Sequence, residues 1–211
     1  VSILLHAPFA LAQSEQIQGV GLGPNFNLPM TFRMGPLTYN NRQRIYAVGE
    51  FTSGTSKAFN TFITEHTIKP GAVVAFHSPG GNLVEGLAVG EAIRAHSLDT
   101  IVAQPSANPG SGLVQRIASD APGVCASACS MAYLGGINRR MLTGSRYGVH
   151  DAASTASGGG DLLDLGQKAA GMMNDYIVRM GASPHLLSSL TKYNSRIGET
   201  WWMSPADMSK M

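Results

Sequence analysis

The chain has 211 residues, 44% of them hydrophobic and 13% charged, which suits one compact domain with a sizeable core and excludes a disordered polymer. Its 15 Lys and Arg against 13 Asp and Glu leave a net charge of +2 with no dense basic run, so nucleic-acid binding has no electrostatic footprint. No His, Cys, Asp or Glu spacing suggests a metal, and Gly19-Val-Gly-Leu-Gly lacks the following helix of a dinucleotide fingerprint. No metal and no cofactor are expected.

Residues 1–11 are mostly apolar, and Ala10-Leu11-Ala12 offers a small-x-small cleavage site before Gln13. Residues 1–12 read as the rear of a secretory signal, or alternatively as an apolar strand or helix of the mature fold. No other stretch approaches the ~18 apolar residues of a membrane span. An exported, soluble protein is expected, with no stable span after signal removal. Residues 13–43 begin rich in Gly, Pro and Asn and read as an arm or loop.

The domain proper is expected over residues 44–211. Arg44-Ile-Tyr-Ala-Val reads as a strand, and apolar groups at 58, 59, 62 and 63 give a helical face. Ala72-Val-Val-Ala-Phe is a continuous apolar run typical of a buried parallel strand. Ser78-Pro-Gly-Gly-Asn is a turn, and Leu83, Leu87, Val89, Gly90 and Ile93 form the stripe of a second helix. Thr100-Ile-Val-Ala is another buried strand. This alternation predicts an α/β fold with right-handed crossovers and a mostly parallel sheet. Residues 104–123 break the rhythm and read as a surface insertion, with Leu113-Val-Gln-Arg-Ile-Ala as a helical turn within it.

The stretch Cys125-Ala-Ser-Ala-Cys-Ser reads as a strand end turning tightly into the apolar helix Met131-Ala-Tyr-Leu. Small residues leave Ser127 uncrowded, and a helix start would aim free N–H groups at charge forming there. Ser127 is the candidate nucleophile; the alternative is a tightly packed helix start. Cys125 and Cys129, four apart, are close enough on a helical turn (roughly 6 Å between Cα atoms) for a disulfide. They also suit two buried thiols. Arg140-Met-Leu-Thr and Tyr147-Gly-Val-His150 read as short strands, the second ending in a histidine. Residues 162–180 read as a long helix with Leu163, Leu165, Ala169, Met172, Met173, Tyr176 and Ile177 inward, capped by Gly181.

Ser78-Pro-Gly-Gly81, Ser127 and His150 all fall at strand ends, where sites gather in a parallel α/β sheet. Glycine turns can present bare N–H groups to an oxyanion, and a neutral imidazole suits the base that a serine needs. From about residue 45 to 208 the sequence resembles the Clp protease proteolytic subunit and its relatives in the crotonase-like superfamily. The resemblance rests on Phe76-His-Ser-Pro-Gly-Gly-Asn with Gly86 and Ile93, on Ala126-Ser-Ala, and on Tyr147-Gly-Val-His150. Met173-Asn-Asp-Tyr-Ile and Met203-Ser-Pro-Ala-Asp add to it. The Cys-Ala-Ser-Ala-Cys variant with an export signal is similar to a group of bacterial periplasmic Clp-like proteins. The motifs stand in order, 46 residues from Gly81 to Ser127 and 23 from Ser127 to His150; the 104–123 insertion accounts for the longer first spacing.

The resemblance implies a Clp/crotonase-type fold of repeated β-β-α turns. Ser127 would be nucleophile and His150 general base, with Gly81 and Ala128 donating N–H groups to the oxyanion. It implies a peptide or protein substrate, a homo-oligomer, and a periplasmic or secreted location. The family's third member is an acid just before the Met-Ser motif. Here that register falls on Thr200, with Glu199 beside it, and strand alternation is expected to turn Asp151 to the side opposite His150. Two functions follow: an exported serine hydrolase, or a non-catalytic scaffold or partner-binding protein that has lost the acid. A third, acyl-thioester chemistry as in crotonases, would need a coenzyme A pocket for which no signal is present. His77 reads as a packed strand-end histidine.

Overall fold

The computed structural model describes residues 20–107, 120–149, 162–183, 186, 200–204 and 208, with side chains of the 162–179 helix from position 170 onward. In chain order, β1 (Thr31–Gly35) and β2 (Arg44–Val48) precede α1 (Thr55–Glu65), and β3 (Val73–His77) precedes α2 (Leu83–Ala95). There follow β4 (Asp99–Val102), β5 (Gln104–Pro105), β6 (Asp120–Ala121) and β7 (Val124–Ala126). After these come α3 (Ala128–Leu134), β8 (Arg139–Met141), β9 (Arg146–Val149), α4 (Leu162–Arg179) and β10 (Trp201–Trp202).

The main sheet has five strands in the order β1-β2-β3-β4-β8. From β2 to β8 all neighbours are parallel, and β1 closes the edge antiparallel to β2. The sequence explains the centre. Every residue of β3 is buried: Val74 and Phe76 face the principal core, and Ala75 joins Tyr46 and Ala103 on the other face. A strand covered on both sides has no polar alternation to show. A smaller sheet, β10-β9-β7, pairs β7 parallel with β9 and β10 antiparallel to β9. The backbone bridge Ser78↔Cys125 joins the two sheets.

The architecture is therefore mixed α/β, and four of the seven described strand pairings are parallel. The expectation of a mostly parallel sheet holds for the five-stranded sheet and is diluted by β1, β10 and the β5–β6 pair. β1 falls within the stretch read as an arm. Its Phe32 ring packs 5.2 Å from Phe59 and 6.1 Å from Phe62 on α1, and flanking Gly, Pro and Asn mask its short period. The 104–123 stretch is closed at its base by Gln104↔Ala121 and Pro105↔Asp120; Leu113 and its helical turn lie outside the described residues.

α2 begins at Asn82, whose side chain accepts from the Glu85 N–H, an ordinary N-cap. Met173, Tyr176 and Ile177 of α4 are buried, but Met172 is half exposed. At 100° per residue, 172 lies about 40° outside the arc spanned by 173, 176, 177 and 180. Gly181, at φ 64°, ends the helix as expected. The inward placement of Leu163, Leu165 and Ala169 lies outside the described side chains.

Candidate functional site

Two strand ends meet at the seam between the sheets. The first is the segment after β3. Ser78 N–H donates to Val124 C=O at 2.7 Å, and Ala126 N–H donates back to Ser78 C=O at 3.1 Å. Ser78 Oγ accepts from Gly80 N–H at 3.1 Å, closing the turn locally. Gly80 and Gly81 then take φ of 110° and 122°, a region other residues enter only at a cost.

Phe51 fixes how these glycines face. Phe51 N–H donates to Gly80 C=O at 2.8 Å, and Asn82 N–H donates to Phe51 C=O at 2.7 Å. In a trans peptide the C=O and the next N–H point in opposite directions. With Gly80 C=O aimed at Phe51, the Gly81 N–H is aimed away from it. Among the described residues it has no hydrogen-bond acceptor.

The second strand end is Ser127, between β7 and α3. Its φ of 58° and ψ of −123° are a sharp, sparsely populated strand-to-helix turn. Small neighbours Ala126 and Ala128 permit it. Ser127 N–H donates to Gly148 C=O at 3.1 Å, and the residue is half-buried in a run whose neighbours are buried. A Cβ built on Gly80 would lie 2.5 Å from Ser127 Cβ and 3.1 Å from Ser127 Oγ. Gly80 therefore touches the serine side chain across a gap only glycine can leave. The Ala128 N–H, first in α3, has no intrahelical acceptor.

The helices behind both turns lock this apposition. Gly86 of α2 packs on Ala128, its virtual Cβ 3.0 Å from the Ala128 Cβ. One turn on, Gly90 and Gly135 also approach backbone to backbone. Cys125 and Cys129 are joined by a disulfide with Cα atoms 5.3 Å apart, bracketing Ser127 with both cysteines fully buried. The alternative of two buried thiols is not what the structure contains.

β9 brings the third element. Ala126 pairs with Gly148, so the end of β9 runs beside Ser127. Ser130 Oγ, fully buried, donates to the same Gly148 carbonyl, and Tyr147 Oη donates to Ser130 C=O at 3.1 Å. Burial pushes the Tyr147 hydroxyl well above its ordinary range, so it stays a donor. Gly148 has to be glycine: its virtual Cβ would lie 2.6 Å from Thr200 Cγ2 and 2.8 Å from the Trp202 ring. Thr200 Oγ1 is sealed from solvent with no hydrogen-bond partner among the described residues. His150 and Glu199 lie outside the described residues.

His77 is 1% exposed. Its Nδ1 accepts from Val124 N–H at 3.1 Å, and its Nε2 lies 2.8 Å from Leu22 C=O. Burial holds its pKa below the ordinary imidazole value, against the raising effect of the Leu22 carbonyl. Both nitrogens are used in packing, as the strand-end reading expected. Sequence reading missed Phe51, Ser130 and Gly148. Phe51 carried no motif; Ser130 and Gly148 stood inside the 125–130 and 147–150 stretches with no role of their own, Gly148 with the further mark of a glycine inside a strand, a sign of close backbone approach.

Among the described residues no group of three or more His, Cys, Asp or Glu is placed to hold a metal ion, and no helix is long and apolar enough to cross a membrane. No family model and no curated protein matches the chain. Among solved structures, the ClpP1 of Listeria monocytogenes is similar at a TM-score of 0.53 and 18% identity, over 79% of this chain and 85% of that one. An Asn-to-Asp mutant of the same ClpP1 gives 0.55 and 16% over the same shares. At such identities the likeness concerns the backbone, and this chain has a ClpP-like mixed α/β fold.

Proposed function

We propose that the chain is an exported, Clp-like serine hydrolase acting on peptides. The observation that carries the reading is the contact of Gly80 with Ser127, 2.5 Å from virtual Cβ to Cβ, with the Gly81 N–H turned away from Phe51. In this reading Ser127 Oγ attacks a substrate carbonyl while His150 takes its proton. The carbonyl oxygen becomes an oxyanion that accepts from the Gly81 and Ala128 N–H groups. The tetrahedral species collapses as His150 returns the proton to the leaving amine. Water, deprotonated by the same imidazole, then releases the acyl group and restores Ser127. Each oxyanion donor of this kind is worth about 10²–10³ in rate.

Supporting the placement of His150, Ser127 N–H bonds the carbonyl of Gly148, two residues before it. Thr200 immediately precedes Trp201, which pairs antiparallel with Val149, and His150 is the next residue in the sequence after Val149; in this reading the two face each other. The Thr200 hydroxyl is thus the group we assign to orienting the imidazole, with Glu199 as the alternative. The Cys125–Cys129 bond supports an oxidising, periplasmic or secreted location. The ClpP-like fold supports a homo-oligomer and a repeated β-β-α spiral.

A second reading is favoured by Thr200 itself. A hydroxyl does not stabilise an imidazolium as a carboxylate does, and losing that acid from a serine triad costs about 10⁴ in rate. The chain would then be a scaffold or partner-binding protein that keeps the fold. A fluorophosphonate probe separates the two. Labelling of the folded protein that vanishes in Ser127→Ala and falls in His150→Ala supports the hydrolase. Folded wild-type protein that takes no label leaves the scaffold.

A further inference from the structure

Resting on the hydrolase reading, we infer that His77 is a positioning residue that holds the Ser127 turn in register with the Gly81 N–H. A neutral imidazole offers one donor and one acceptor. Val124 N–H can only donate, so Nδ1 is the acceptor; Leu22 C=O can only accept, so Nε2 carries the hydrogen. The ring therefore ties three segments at one point: the end of β3, the start of β7 and the 20–26 arm, whose Phe26 ring packs 4.7 Å from it. An apolar residue would fill this fully buried position and leave two backbone groups unsatisfied, each a substantial loss.

The place of the ring in the chain gives the contact its consequence. One residue after His77 the chain enters Ser78–Gly81, and three residues after Val124 it reaches Ser127. Two backbone hydrogen bonds cross the seam there, from Ser78 N–H to Val124 C=O and from Ala126 N–H to Ser78 C=O. The His77–Val124 bond adds a side-chain strut to them. A slip along the seam moves Gly81 relative to Ser127, and displacement of a reacting group by about 1 Å costs about 10²-fold.

The test compares His77→Leu with His77→Asn in the full chain. Asparagine places Oδ1 where Nδ1 stands, so it keeps the acceptor for Val124 N–H while giving up Leu22. Fluorophosphonate labelling of Ser127 is expected to slow about 10- to 100-fold in His77→Leu and to recover most of that loss in His77→Asn. Equal rates in the leucine variant and the wild type, or a leucine and an asparagine variant equally slow, overturn the inference. Should His77→Leu not fold, His77→Gln takes its place, reaching Leu22 but not Val124. Should wild-type protein take no label, the hydrolase reading fails by itself. The strut is then decided by amide hydrogen exchange over residues 124–127: faster in leucine than in asparagine supports it, and equal exchange overturns it.

Discussion

Gly80 lies so close to Ser127 that a methyl group on it would stand 2.5 Å from the serine Cβ and 2.7 Å from the Ala126 carbonyl. The contact joins two chain segments that no local rule connects. Its neighbour Gly81 is equally confined, its virtual Cβ falling on the Phe51 backbone, 3.0 Å from that nitrogen.

Gly80→Ala is expected to destabilise the fold by more than the roughly 1–3 kcal/mol of its φ alone, because the methyl overlaps backbone and Ser127 together. Urea unfolding gives the stability. Probe labelling of Ser127 should fall at least about 100-fold in protein that remains folded. Wild-type labelling by a stable Gly80→Ala variant would show that the two segments do not form one site.

The disulfide closes a loop of only a few residues, so its effect on the unfolded chain is small, about 2 kcal/mol. The Cys125→Ala/Cys129→Ala double variant should lose about that much in denaturant melts. In the unreduced protein, a thiol reagent should find no free cysteine even after unfolding. Two reactive thiols per chain under those conditions would contradict the bonded pair.

Thr200→Val removes a sealed hydroxyl that has no described partner and keeps its shape. In the hydrolase reading the hydroxyl bonds the His150 ring, so the valine variant should lose about 0.5–1.5 kcal/mol. If Thr200 orients the His150 ring, labelling of Ser127 slows in the same variant. Thr200→Asp should then label faster, by a gain bounded at about 10⁴. A valine variant that labels normally removes Thr200 from the site.

Acid should weaken the fold through His77. Burial lowers its pKa in the folded state, so below about 6.5 the unfolded chain takes up a proton that the native ring does not. This contribution is complete above that pH and declines as pH falls toward the folded value. The urea midpoint should drop between pH 8 and pH 5, and the drop should be smaller in His77→Asn, which does not titrate. Parallel declines in the two proteins would assign the pH effect to other groups.

The order of elements was legible in the chain because it rests on local physics. A continuous apolar run from Ala72 to Phe76, a 3.6-residue stripe from Leu83 to Ile93 and a small-residue turn at Ser127 each declare themselves within a few residues. The same local signals left β1 unread, since its five residues sit among turn formers. Met172 was expected inward, although the helical period puts it at the edge of the buried arc.

Sequence alone determined which residue types stand at strand ends: a glycine pair, a serine among small neighbours and a histidine on one buried strand. Tertiary structure decided what those ends face. It set Gly80 against Ser127 and turned the Gly81 N–H from Phe51. It placed Ser130 and Ser127 on one carbonyl of Gly148 and gave both nitrogens of His77 to packing. The reason is that hydrogen bonds and steric contacts between segments dozens of residues apart depend on sheet register and helix packing. Those are global outcomes of burying the core, and no window of neighbouring residues encodes them.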